Sequence, residues 1–295
     1  MIYLNNAATS YPKPSLVIKS LENSLNLVPF HSGRSNQLKQ DVVVSCREKL
    51  AKFFGVSNPK NIIFTSNSTE SLNIAISGLD LKNGHVITTS TEHNSVIRPL
   101  KHLELESLEL TIVECDKYGQ IDINLIRNSI KSNTKAIIVN HCSNVTGMFL
   151  DIKSISQIAH ENNLVFIVDA SQSAGCVPIN VENDGIDILA FTGHKSLFGI
   201  TGIGGMYIKE NIDLKPLKVG GTGIKSEILL QPHERPIYYE AGTQNFLGII
   251  SLEAGIDFIN SEGIDKIYKK KTDIIEKMFE SLKDMPIDFY GKYEK

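Results

Sequence analysis

The sequence predicts an α/β protein with a three-layer α/β/α arrangement, in which a mostly parallel sheet is covered by helices on both faces. Two observations carry this. Apolar runs of strand length alternate with segments of helical period through most of the 295 residues. Each conspicuous polar cluster also follows directly on one of those runs, and sheets of this kind bind their ligands beyond the carboxyl ends of the strands.

The elements follow in order. Residues 15–27 and 38–54 read as helices, with Pro12 and Pro14 just ahead of the first, where proline is tolerated. Residues 62–64 read as a strand and 70–76 as a helix. The pairing repeats at 86–88 with 95–103, at 110–113 with 122–130, and at 136–139 with 152–160. Strands are expected at 165–169, 186–191 and 204–208. Helical period returns at 247–259 and 264–282, separated by Gly263 and ended by Pro286. Residues 287–291 look like the start of a further strand. No internal repeat or low-complexity tract interrupts the pattern.

Composition narrows the function. Hydrophobic residues make up 41% and charged residues 21% of the chain, as in an ordinary globular protein. A net charge of −3 gives no basic face for nucleic acid. No apolar run approaches the roughly 20 residues of a membrane span, and no secretory signal opens the chain. Cys46, Cys115, Cys142 and Cys176 are scattered without a CxxC pair and read as reduced thiols, so a cytoplasmic location is expected. Cys142 and Cys176 are expected to be buried and inert. The histidines and cysteines show no zinc spacing, so no metal is expected.

Two strand ends carry the chemistry. Asp169 and Gln172 follow one apolar run, and Thr192, His194 and Lys195 follow another. An amine that forms an imine, together with an acid that keeps a pyridine nitrogen protonated, is what pyridoxal 5'-phosphate asks of a protein. A buried lysine suits the first role when its pKa is lowered. Ser68 and Thr69 lie at a helix start, where free N–H groups bind anions. That turn reads either as a plain N-cap or as an anion site, for which Thr192 and His194 are candidate further donors. His93 reads either as a helix cap or as an imidazole stacked on a flat ring. Asn144 reads either as a turn residue or as a partner for the ring or a substrate carboxylate.

The ordered set Tyr3-Leu4-Asn5-Asn6-Ala7-Ala8-Thr9, Ser68-Thr69-Glu70, Glu92-His93-Asn94, Ser143-Asn144-Val145-Thr146-Gly147, Asp169-Ala170-Ser171-Gln172, Thr192-Gly193-His194-Lys195 and Glu240-Ala241-Gly242-Thr243-Gln244-Asn245 resembles the cysteine desulfurase and class V aminotransferase family. The resemblance implies the large domain of the aspartate aminotransferase-like fold of pyridoxal phosphate-dependent transferases. It implies that Lys195 carries the cofactor imine and shuttles protons, and that His93 stacks on the ring. Asp169 would hold the ring nitrogen and Gln172 the ring oxygen. Ser68, Thr69, Thr192 and His194 would bind the phosphate. Asn144 would lie near the ring and substrate. It further implies a homodimer in which Thr243 reaches the neighbouring subunit's phosphate, and it makes Arg34 a candidate for the substrate carboxylate.

The domain organisation expected from this resemblance is an N-terminal segment near the active site at 1–14, the cofactor-binding large domain at 15–255, and the start of a small domain at 256–295. Family members carry a nucleophilic cysteine on a loop of the complete small domain. That loop is expected to be missing here, as in a truncated product or half of a split enzyme. The resemblance implies a cysteine desulfurase-like enzyme that converts L-cysteine to L-alanine and passes sulfur to an acceptor protein. The rivals are a class V aminotransferase, a selenocysteine lyase or another β-eliminating lyase, and a noncatalytic protein that binds cofactor or a partner.

Overall fold

The structure is a computed structural model that describes residues 2–26, 42–225 and 227–287. Arg34, the start of the expected second helix, and most of the strand expected at 287–291 lie outside the described residues.

Seven strands form one sheet: β1 (Ile62–Thr65), β2 (His85–Thr89), β3 (Glu109–Val113), β4 (Thr134–Asn140), β5 (Val165–Asp169), β6 (Ile188–Thr192) and β7 (Gly204–Ile208), in the order β1-β7-β6-β5-β4-β2-β3. Every pairing is parallel except those of β7, which runs against both β6 and β1. The alternation in the sequence does not show this reversal. Residues 193–203 between β6 and β7 contain no helix, so the chain folds straight back instead of making the long crossover that a parallel neighbour needs.

Alternate residues of the central strands feed two cores, the period-2 consequence of the pleat. Phe166 and Val168 of β5 and Leu189 and Phe191 of β6 face one side. They pack under helices α2 (Val42–Phe54), α6 (Ile152–Glu161) and α7 (Phe246–Glu262) through residues such as Leu50, Ile155 and Leu252. Ile167, Ile188 and Ala190 face the other side, under α3 (Ser68–Gly78) and α4 (Asn94–Glu104) through Leu72, Ile76, Val96 and Leu100. These side chains are almost wholly shielded, and each of the larger aliphatic and phenylalanine side chains is worth roughly 1.5–3 kcal/mol by transfer. Helices α1 (Ser15–Leu25) and α5 (Ile123–Asn128) complete the layers, and α8 (Ile264–Leu282) follows α7 after Gly263. The domain boundary expected after residue 255 falls inside α7. Among the described residues, no helix is long and apolar enough to cross a membrane.

The reversal of β7 has a geometric result. Strand β1 lies antiparallel to β7 and therefore points the same way as β6. Thr65 and Thr192, the last residues of those strands, both pair with Gly204, the first residue of β7. Asn140 ends β4 in register with Asp169, which ends β5. The polar residues that follow β1, β2, β4, β5 and β6 are thereby delivered to one edge of the sheet.

Candidate active site

At that edge lies a cavity of about 170 Å³. Ser68, Thr69, His93, Asn144, Asp169, Gln172, Thr192, His194 and Lys195 all line it. Asn67, Ser95, Asn140, Cys142 and Ser171 line it as well.

The β1–α3 turn supplies one wall. Asn67 caps α3, its Oδ1 accepting from Glu70 N–H at 2.9 Å. Glu70 Oε2 reaches back to Ser66 N–H at 2.6 Å. This reciprocal capping fixes the turn and satisfies the Glu70 N–H, and Asn67, Ser68 and Thr69 of the same turn line the cavity. The Ser68 hydroxyl donates to Asp169 Oδ1 at 3.2 Å, and Thr69 Oγ1 pairs with Ser95 Oγ at 2.8 Å. His93 proves to be both a cap and a cavity residue. Its Nδ1 accepts from Ser95 N–H at 3.1 Å, and the exposed imidazole lines the opening.

Asp169 is 4% exposed. Its Oδ1 also accepts from Ser171 N–H at 2.9 Å and Ser171 Oγ at 2.5 Å, bonds that aim the carboxylate. Gln172 donates from Nε2 to Ala7 O at 3.2 Å, which ties the N-terminal arm to the rim. Lys195 is half-buried. Burial pulls its ammonium below the ordinary lysine range, and the charge of Asp169 opposes that shift. His194 is likewise lowered, by burial and then by the positive charges of Lys195 and Lys13. Two glycines bring other elements onto the loop after Lys195. A Cβ on Gly175 would lie 2.3 Å from Ser196 O, and one on Gly255 of α7 would lie 2.0 Å from Leu197 O.

The cavity contains unpaired groups. Thr192 Oγ1 and His194 Nδ1 are buried with no hydrogen-bond partner. Buried polar groups are normally paired, so these two mark a place for a polar ligand.

One expectation changes. Cys142 and Cys176 are only partly covered rather than buried. Each lies outside the strands, where packing is incomplete, and Cys142 lines the cavity. Inertness still follows for Cys142, because its surroundings push the thiol up to about 12, through burial first. Thr243 lies apart from this cavity. It is exposed and lines a larger apolar groove of about 750 Å³ with Val43, Ile237 and Phe246. The segment leading to it is anchored by the Glu240 carboxylate, which takes a bidentate ion pair from Arg47 at 2.8 and 2.9 Å.

Sequence reasoning passed over Ser95, Asn140 and Cys142. Their signal was position: each stands at or just beyond the end of a strand, or two residues past a helix cap. Among the described residues no cluster of His, Cys, Asp and Glu could hold a metal ion.

A lysine and a carboxylate at the carboxyl ends of a mostly parallel sheet, with unpaired groups at the end of β6 facing the N-terminus of α3 across one cavity, define an α/β enzyme site. Comparison with known proteins gives the family. Residues 2–294 match the model of the aminotransferase class-V family, and the chain belongs to it. A probable cysteine desulfurase of Pyrococcus abyssi is 36% identical over 307 aligned residues, covering 99% of this chain and 75% of that protein. The apo structure of the cysteine desulfurase from Thermococcus onnurineus superposes with a TM-score of 0.89 at 32% identity, covering 99% of this chain and 76% of that one. The structure of SspA in complex with cysteine superposes with a TM-score of 0.73 at 28% identity, covering 87% and 72%. The family's enzymes depend on pyridoxal phosphate, and this chain is one of them. The residues present fit that group: the cavity offers an amine, a buried carboxylate and two orphaned polar atoms facing the N-terminus of α3.

Proposed function

We propose that the protein is a cysteine desulfurase-like enzyme that takes L-cysteine and breaks its Cβ–S bond. The observation that carries this reading is the convergence of Lys195 and Asp169 on one cavity. The cysteine desulfurases among the relatives and the cysteine bound to SspA point to the substrate.

Pyridoxal phosphate, when bound, supplies an electron sink next to the substrate's α-carbon. The chain's own residues do the rest. Lys195 Nζ is the amine that holds the cofactor and then carries the α-carbon proton, a role that its lowered pKa suits. With the cofactor bound, the Asp169 carboxylate would keep the ring nitrogen protonated, His93 would cover the ring face, and Gln172 would donate to the ring oxygen. The first turn of α3, with Ser68, Thr69, Thr192 and His194, would hold the phosphate. Asn144, exposed at the mouth, meets the substrate side, and Arg34 is the candidate for the substrate carboxylate. A homodimer is supported by the groove around Thr243 and by the exposed Leu229 and Leu230. A cytoplasmic location and a separate sulfur-acceptor protein complete the reading.

One observation favours a second reading. Cys142 is the thiol among the described cavity residues, and its raised pKa makes it a poor sulfur acceptor. A β-eliminating lyase needs no such thiol, because cysteine and water give pyruvate, ammonia and sulfide.

Purified protein loaded with pyridoxal phosphate and desalted is the test. An absorption band of protein-bound cofactor, lost in Lys195→Ala, and alanine formed from L-cysteine are expected. Pyruvate in place of alanine selects the lyase. A band that survives desalting in Lys195→Ala overturns the assignment.

A further inference from the structure

A carboxyl group beneath the cavity has no part in the chemistry just described. Glu92 lies between β2 and α4. Its Oε1 accepts from Thr89 Oγ1 at 2.6 Å and from Asn140 N–H at 2.9 Å. Its Oε2 is shut off from solvent and has no hydrogen-bond partner, although other parts of the residue are partly exposed. Among the described residues Glu92 makes no salt bridge. The charged group that bears on it from β5 is Asp169, of like sign. The residues that meet it from β2 and β4, Thr89 and Asn140, are neutral.

A second acceptor at the same strand ends is also unserved. Asn140 is 3% exposed, and its Oδ1 has no donor. Its amide orientation is set by the other end, where Nδ2 donates to Thr91 O at 2.6 Å. An ionised Glu92 is acceptor-only and would leave both oxygens without a proton. A neutral carboxylic acid has the hydroxyl that supplies one. Burial, opposed by the two hydrogen bonds at Oε1 and assisted by Asp169, pushes this carboxyl up to about 8.

We propose that Glu92 is a positioning residue that is protonated at neutral pH, donating from Oε2 to Asn140 Oδ1, so that Asp169 is the single negative charge beneath the cavity. The arrangement separates two carboxyl groups by environment, one neutral and one ionised. Its value to catalysis rests on the reading of Asp169 as the partner of the ring nitrogen. A second negative charge behind Asp169 would repel the Asp169 carboxylate and favour its protonation, against the ionised state that this role requires.

Infrared difference spectroscopy of the cofactor-free protein, wild type against Glu92→Gln, tests the proton directly. At neutral pH the expected result is a protonated-carboxyl C=O band that E92Q lacks and that the wild type loses as pH rises through about 8. In Asn140→Ala the band should persist at higher frequency, because the donor has lost its acceptor. Loss of only a carboxylate band in E92Q at neutral pH would overturn the proposal, and an unmoved band in N140A would overturn the choice of acceptor. Should E92Q fold poorly, the wild-type band decides by its pH titration alone. In the loaded protein, the pH midpoint of the cofactor band should be the same in E92Q and wild type below pH of about 8. A tenfold shift in that proton equilibrium would mean that Glu92 is charged. If no cofactor band forms in either protein while the infrared band is present, the reading of function fails and the proton assignment stands.

Discussion

The Lys13 ammonium donates to the carbonyl oxygen of His194 at 2.9 Å, and the same oxygen takes Ser10 N–H, Ser10 Oγ and Thr9 Oγ1, each at 3.1 Å. The carbonyl just before Lys195 is thus the anchor of the N-terminal arm. Burial lowers Lys13 to about 8. Lys13→Met removes two hydrogen bonds, to His194 O and Ser10 Oγ, and also removes the cost of half-burying a charge. The expected net loss is about 1 kcal/mol, read by urea denaturation. The Ser10 amide should exchange faster with solvent. Loss of a positive neighbour should also raise the His194 pKa, measurable by NMR.

The charge of Asp169 holds a proton on Lys195 against the effect of burial. Asp169→Asn should therefore lower the Lys195 pKa further, so that cofactor attachment to the lysine reaches its maximal rate at lower pH. On the proposed reading of Asp169 as the partner of the ring nitrogen, turnover should still fall, on the order of 10²-fold, because that preorganised charge is gone. Rate measurements across pH separate the two effects. An attachment profile that moves to higher pH would contradict the assigned direction.

The lowered Lys195 pKa also has a stability consequence. The unfolded chain keeps a proton that the native chain has shed, so stability rises with pH between the native pKa and the ordinary lysine value. Lys13 adds a rise of the same sign from about 8 upward. Lys195→Met should stabilise the cofactor-free protein at neutral pH and flatten, without abolishing, the alkaline rise. Denaturation midpoints measured at several pH values give the answer.

Leu197 O sits where a side chain on Gly255 would have to go, only 2.0 Å from the point that a Cβ would occupy. Gly255→Ala must therefore push the loop that carries Lys195 away from α7. A cost of roughly 1–3 kcal/mol is expected, with a larger rise in KM for cofactor loading than that loss of stability alone explains. An alanine variant with unchanged loading would mean that the loop has slack.

Cys142 lines the cavity with a thiol raised to about 12. Its alkylation at neutral pH should be slow beside that of an ordinary exposed cysteine, and slower again once cofactor fills the site. Peptide mapping after timed treatment with iodoacetamide measures both.

The strands were legible because each is a short apolar run bounded by polar or glycine-containing segments, and Ile167 and Phe166 report their two faces by simple alternation. The direction of β7 was hidden, because a five-residue apolar run reads the same either way. The cavity residues that follow strands, such as Asp169 and Thr192, stood out by residue type at a strand end. Asn140 did not, since asparagine at a strand end is also an ordinary turn residue and only the register with Asp169 places it in the wall. Cys142 illustrates the same limit: sequence gives a thiol near apolar residues, and packing decides how much of it water reaches.

Strand β7 is the wedge between β1 and β6, and it joins partners far apart in sequence, Ile62 with Tyr207 and Leu189 with Tyr207. A nascent chain that has reached Lys195 already carries the whole roster of groups for the cavity, yet the piece that spaces Thr65 from Thr192 has still to be made. Vitamin uptake during synthesis or refolding would then be a late signal, silent until the sheet has closed around its reversed member.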